Sequence, residues 1–161
     1  MNLKIIVAIW IDADATPRSA IAIARELAAS YGAMVTTVSS INHLRDEPNH
    51  ITVDADPQAA DMTIVNHINP NVPTVVVTQD YGLAALVLAR GAAALSPNGL
   101  IFDAENIDRL LANRAISARM RRMPRSMRSK LRGPKARSAE DDARFRESLT
   151  HILKKLTDRH T

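Results

Sequence analysis

Residues 4–17 read KIIVAIWIDADATP, and the parsing of that stretch decides the fold. Up to Ile11 it is continuous, apolar and rich in Ile and Val, which predicts a strand over residues 4–11 buried on both faces. Thr16-Pro17 reads as a helix N-cap followed by a first helical residue. The helix then extends to about Tyr31, with Ile21, Ala24, Leu27 and Ala28 on one face and Gly32 as its stop. Between strand and helix stand Asp12 and Asp14, one residue apart, where a core strand surfaces. Turn-making and helix capping are the ordinary roles for such carboxylates. Metal binding and phosphoryl acceptance are the chemical ones.

The same alternation continues along the chain. AMVTTVSS (33–40) reads as a second strand, HLRDEPN (43–49) as a polar loop and HITV (50–53) as a short strand. Asp56-Pro57 repeats the cap-then-proline signal and opens a helix to about Ile68. TVVVT (74–78) is another buried strand, and Asp80 heads a helix closed by Gly91. A short strand near Ala92–Leu95 precedes the turn SPNG (96–99), and Asp103 caps a helix through about Asn113. Ser138 and Asp141 form a capping-box-like start for a last helix, with Phe145, Leu149, Ile152, Leu153 and Leu156 on one side. Strands alternating with helices predict an α/β fold with a mostly parallel central sheet and helices on both faces.

With 161 residues, the chain is long enough for one substantial core. Aromatic residues make up only 3%, which argues against a base-stacking platform. There is no cysteine, so disulfides, zinc-thiolate sites and thiol nucleophiles are excluded. The apolar N-terminus is too short to span a bilayer and runs directly into Asp12, so neither a membrane partner nor a signal peptide is expected, and the expected compartment is the cytoplasm. Charge is divided unevenly. Residues 1–113 carry 6 Lys+Arg against 12 Asp+Glu, residues 114–137 carry 10 Lys+Arg and no acid, and residues 138–161 carry 5 of each. The expected organisation is therefore an α/β core over 1–113, a basic segment over 114–137 and a helix over 138–161 packed on the core.

Ligands of open parallel sheets bind beyond the C-terminal strand ends. Asp12 and Asp14 follow one such end, and Asp80 follows another, after Thr78. Asp61 is the more telling residue. With Ile64, Val65 and Ile68 at i+3, i+4 and i+7, it leads the apolar face of its helix toward the sheet. An ionised carboxylate there is unfavourable unless paired or coordinated, and residues 1–113 hold a single lysine, Lys4, at the far end of the first strand. A divalent cation shared by Asp12, Asp14, Asp61 and Asp80 would compensate it. Carboxylates without cysteine or clustered histidine favour hard ions, Mg²⁺ or Mn²⁺. The five histidines are scattered and read as surface or core polar filling.

Two resemblances bear on the chemistry. A strand followed by DADAT (12–16) resembles the first motif of haloacid dehalogenase-like phosphatases, in which the first Asp accepts a phosphoryl group. That family also needs a lysine and a later acidic pair, but no lysine occurs between Lys4 and Lys130 and no acidic pair directly follows Thr78. The second resemblance spans nearly the whole chain in order: IDADATP (11–17), INH (41–43), VDADPQAADMTIVN (53–66), VVTQDYGLAALVLARGA (76–92), NGLIF (98–102), ENIDRLL (105–111) and RGPKARSAEDDARFRESL (132–149). Together these resemble the YaiI/YqxD family of bacterial proteins, which belongs among PIN-like domains. The chain departs from the family pattern at Thr16, where a cysteine is usual, and in MPRSMRSKLR (123–132), which adds positive charge.

The resemblance implies a three-layer α/β fold and an acidic, Mg²⁺-binding pocket like that of PIN ribonucleases. Its acidic positions fall on Asp12, Asp14, Asp61 and Asp80. The implied activity is a metal-dependent nuclease acting on RNA or another nucleic acid. Asp12, Asp61 and Asp80 would hold the metal, Asp14 would ligate or support it, and Thr16 and Thr78 would position water or phosphate oxygens. Arg119, Arg121, Arg122, Arg125, Arg128, Lys130, Arg132, Lys135 and Arg137 would hold the nucleic-acid backbone, which brings salt-dependent affinity with little sequence information. The alternatives are a non-catalytic nucleic-acid-binding or regulatory protein with a degenerate PIN-like pocket, and a small-molecule phosphatase.

Overall fold

The computed structural model describes residues 5–41, 47–56, 58–121 and 136–159; the side chains of residues 116–118, 120 and 121 lie outside that description. Elements follow in the order β1 (Ala8–Asp12), a 3-10 turn (Ala13–Ala15), α1 (Arg18–Tyr31), β2 (Met34–Ser40), β3 (His50–Val53), α2 (Ala59–His67), β4 (Thr74–Val77), α3 (Tyr81–Ala89), β5 (Ala93–Leu95), β6 (Ile101–Phe102), α4 (Ala104–Arg121) and α5 (Ala139–Asp158). They build one six-stranded sheet in the order β3-β2-β1-β4-β5-β6. β1 to β5 pair in parallel, and β6 returns antiparallel to β5.

The expected α/β sandwich is present, and strand alternation divides its core in two. Ile9 and Ile11 of β1 and Val75 and Val77 of β4 face a cluster built from Ala20, Ala24, Leu27 of α1 and Phe145, Leu149, Leu153 of α5. Val38, Val76 and Ala94 face the opposite way, onto Ile64 and Val65 of α2, Leu83 and Val87 of α3 and Ile107 of α4. Helices thus cover both faces of a sheet whose central strands, β1 and β4, are mainly apolar, as expected of a parallel sheet. No helix among the described residues is long and apolar enough to cross a membrane.

Five local differences separate the structure from the sequence expectation. β1 starts at Ala8 because its partners start there: Ala8 is in register with Met34 of β2 and Thr74 of β4. Ile5 and Ile6 precede this pairing and are exposed. α1 starts at Arg18 with Pro17 at the cap position, while Thr16 turns its hydroxyl back to donate to the Asp12 carbonyl at 2.7 Å. α4 continues past Asn113 to Arg121, since residues 114–121 are mostly good helix formers and no proline intervenes. β6 is only two residues long, too short to leave a periodic signal. The expected helix start at Asp56-Pro57 is found at Ala59, with Pro57 itself outside the described residues.

Candidate acidic site at the sheet switch point

The strand order reverses at β1, which has β2 on one side and, after the chain crosses back from β3, β4 on the other. A crevice beyond the C-terminal ends of β1 and β4 is therefore where this topology places a ligand. Asp12 is the last residue of β1 and is only 6% exposed. Two threonines fix it. Thr16 donates to its carbonyl, and Thr78, immediately after β4, donates to Oδ2 of its carboxylate at 3.1 Å. The same Thr78 hydroxyl accepts from the Asp80 amide at 3.0 Å, so one buried side chain couples the two acidic segments.

Asp80 caps α3. Its Oδ1 accepts from the amides of Gly82 at 2.8 Å and Leu83 at 3.3 Å. The ordinary capping role is thus present, and it engages one oxygen of the carboxylate. Asp61 sits in the first turn of α2, half-buried ahead of Ile64 and Val65. Asp14 is exposed and accepts from the Ser40 amide at 2.7 Å, which ties the turn after β1 to the end of β2.

Electrostatics show that Asp12, Asp61 and Asp80 share one neighbourhood. Burial pushes the Asp12 carboxyl up to about 6; the Thr78 hydrogen bond opposes the rise, and the charges of Asp14 and Asp80 add to it. Burial likewise pushes Asp61 up to about 6, aided by the charges of Asp80 and Asp12 and by a hydrogen bond that its protonated form donates to Asp80. Arg114 partly offsets that rise. Its Nη1 lies 3.6 Å from Asp80 Oδ1.

Among the described residues, no three acidic or histidine side chains form a ready-made metal cage. Mg²⁺ does not require one, because it is commonly held by one or two carboxylates and keeps several of its waters. The donor set is hard oxygen, and its charges repel one another at close quarters. On that chemistry, two of Asp12, Asp61 and Asp80 suffice for a hydrated divalent ion.

Thr16 and Thr78 were expected to touch water or phosphate. Both are buried, and both hydroxyls donate to Asp12, Thr16 to its carbonyl and Thr78 to its carboxylate. Of the basic residues, Arg119 is exposed on α4. The Arg121 side chain and Arg122, Arg125, Arg128, Lys130, Arg132 and Lys135 lie outside the described residues. Arg137 turns inward: Nε donates to Asp142 Oδ1 at 2.8 Å and Ser19 Oγ at 2.9 Å, and Nη1 donates to Asn98 Oδ1 at 3.2 Å. It clamps the start of α5 to α1 and to the turn after β5.

Sequence reasoning missed Arg114. The signal was available, since Arg114 lies at i+7 from Ile107, i+4 from Leu110 and i+3 from Leu111, and so continues the apolar stripe of α4. Gly82 was missed as well: a Cβ there would stand 3.2 Å from Asp80 Oδ1. The reading of the histidines as polar filling fits His50, whose ring nitrogens bond to Thr37 and Ser39. It also fits His67, which donates to the Thr63 carbonyl and packs its ring 5.0 Å from that of Trp10.

Comparison with known proteins follows the same span. A family model described as "Uncharacterized BCR, YaiI/YqxD family" matches residues 10–155. A "UPF0178 protein" of Heliobacterium modesticaldum is 40% identical over 144 residues, covering 89% of this chain and 94% of that protein. One from Exiguobacterium sibiricum is 38% identical, covering 93% and 99%, and one from Clostridium tetani is 39% identical, covering 91% and 97%. No solved structure matches significantly.

Proposed function

The chain belongs to the YaiI/YqxD family, and from that premise we propose that it is a Mg²⁺- or Mn²⁺-dependent nuclease acting on RNA or another nucleic acid. One observation carries the reading. Asp12 closes β1, Asp61 stands in the first turn of α2 and Asp80 heads α3, and the first two are raised to about 6 by burial and by the charge of acidic neighbours. Such mutual repulsion is tolerable where a doubly charged ion is the intended occupant.

Asp12, Asp61 and Asp80 would hold the ion. When bound, the ion supplies an acidified water and stabilises charge on the scissile phosphate. The chain's own residues do the rest. Thr78 keeps Asp12 Oδ2 and the Asp80 backbone in fixed relation. Thr16 holds the backbone of the strand end. Asp14 anchors the following turn on β2. α4 runs from Arg114 beside Asp80 to exposed Arg119, and in sequence the basic segment follows. Cationic side chains beside an acidic pocket give a polyanion a foothold that the acidic core alone would deny it.

A second reading, nucleic-acid binding without cleavage, is favoured by the lack of a three-ligand cage among the described residues. End-labelled single-stranded RNA incubated with Mn²⁺ separates the two. Cleavage by wild type that is lost in EDTA and abolished by Asp61→Asn or Asp80→Asn supports the nuclease. Variants that cleave like wild type contradict it, and EDTA-resistant binding with no cleavage establishes the second reading instead.

A further inference from the structure

Arg114 holds an unusual station for a residue at the head of so basic a segment. Its Nη1 lies 3.6 Å from Asp80 Oδ1, yet the guanidinium side chain is 57% exposed and that of Asp80 is 35% exposed. At this distance and exposure the pair is weakly held and easily exchanged. It is nonetheless placed from the core outward. Ile107 is buried, and Leu110 and Leu111 pack against the cluster formed with α3, so the stripe of α4 that ends in Arg114 is seated on the molecule. The guanidinium passes over bare backbone at Gly82, where an added Cβ would be 3.7 Å from Nη1.

The cap and Arg114 both address Asp80 Oδ1, which leaves Oδ2 to a cation, and across one carboxylate that cation and the guanidinium repel each other. The two are therefore alternatives. We propose that Arg114 is the resident counter-ion of Asp80, that a divalent cation displaces it, and that the released guanidinium then grips the phosphate of the substrate. This rests on the metal reading above. An arginine suits both states: it pairs with a carboxylate in one and offers a planar fork of donors to a phosphate in the other. The exchange makes phosphate capture conditional on metal loading, so the site presents its arginine once the ion is in place.

The test measures Mn²⁺ binding to the full chain by calorimetry, then adenosine monophosphate binding to the Mn²⁺-loaded protein. It compares wild type with Arg114→Ala and Arg114→Lys, with folding checked by circular dichroism. Removing one positive charge from beside the ion should tighten Mn²⁺ binding about five- to tenfold and weaken nucleotide binding about tenfold. Arg114→Lys should keep the wild-type Mn²⁺ affinity and lose nucleotide affinity, because it keeps the charge without the fork. A residue with a purely structural role would weaken both ligands together. If Arg114→Ala leaves Mn²⁺ affinity unchanged or lower, or leaves nucleotide affinity intact, the inference fails while the metal reading stands. If wild type binds no Mn²⁺, the metal reading itself fails.

Discussion

Asp12 is a buried carboxylate that the fold holds in an unfavourable charge state. Its raised value, about 6 against an ordinary 3.8, fixes the sign of its effect on stability. Between those values the folded chain binds the proton more tightly than the unfolded one, so stability falls as pH rises through the interval. Asp61 acts in the same direction. For Asp12 the full effect is about 3 kcal/mol, at 1.36 kcal/mol per pKa unit. In EDTA, Asp12→Asn should remove the Asp12 share of this slope, leaving that of Asp61, and make the variant more stable than wild type at pH 8, measured by urea denaturation at pH 4 and pH 8. A variant less stable than wild type at pH 8 would contradict the strain assigned to Asp12. At this scale the sequence was informative wherever a residue broke a pattern. Asp12 ends an apolar run, and Asp61 leads an apolar helix face. Thr16 was misleading because a threonine before a proline has the same appearance whether it caps the helix or turns back to a carbonyl. That choice depends on β1 lying behind it.

Helix α5 shows how much an element can reveal of itself. Ser138 and Asp141 were legible as a start signal, and the structure has both halves of the box: the Asp141 amide donates to Ser138 Oγ, and the Ser138 amide donates to Asp141 Oδ2 at 2.9 Å. The apolar stripe was equally legible, with Phe145, Leu149 and Leu153 fully buried against α1. Ser138→Ala should destabilise the protein by about 1 kcal/mol, read as a shifted urea midpoint with an unchanged slope. No shift would mean that the cap adds nothing beyond the packing of the helix. Elements defined by long-range pairing were less legible. The start of β1 depends on where β2 and β4 begin, and β6 exists only because the chain turns back at Gly99 to lie beside β5. Neither fact is local to the residues concerned.

Across the whole molecule, charge and topology act together. The acidic core and the basic segment were visible as a change of composition near residue 114, but α4 runs through that boundary as one helix. The result is a cationic side chain, Arg114, set 3.6 Å from Asp80. The switch point between β1 and β4 explains why residues far apart in sequence meet there: Thr78 reaches Asp12 across 66 positions because their strands are neighbours. The alternation of strands and helices was enough to place Asp12 and Thr78 at the C-terminal ends of strands. The missing part was Arg114, hidden because its basic neighbours made it look like one more charge in a run.

The account rests on a divalent ion shared by Asp12, Asp61 and Asp80, and anomalous scattering from a Mn²⁺-soaked crystal tests it most directly. The predicted result is a single strong peak beyond the ends of β1 and β4, bound by at least two of these three carboxylates with water completing the shell. A crystal with no peak there, or with Mn²⁺ bound only elsewhere on the surface, would contradict it.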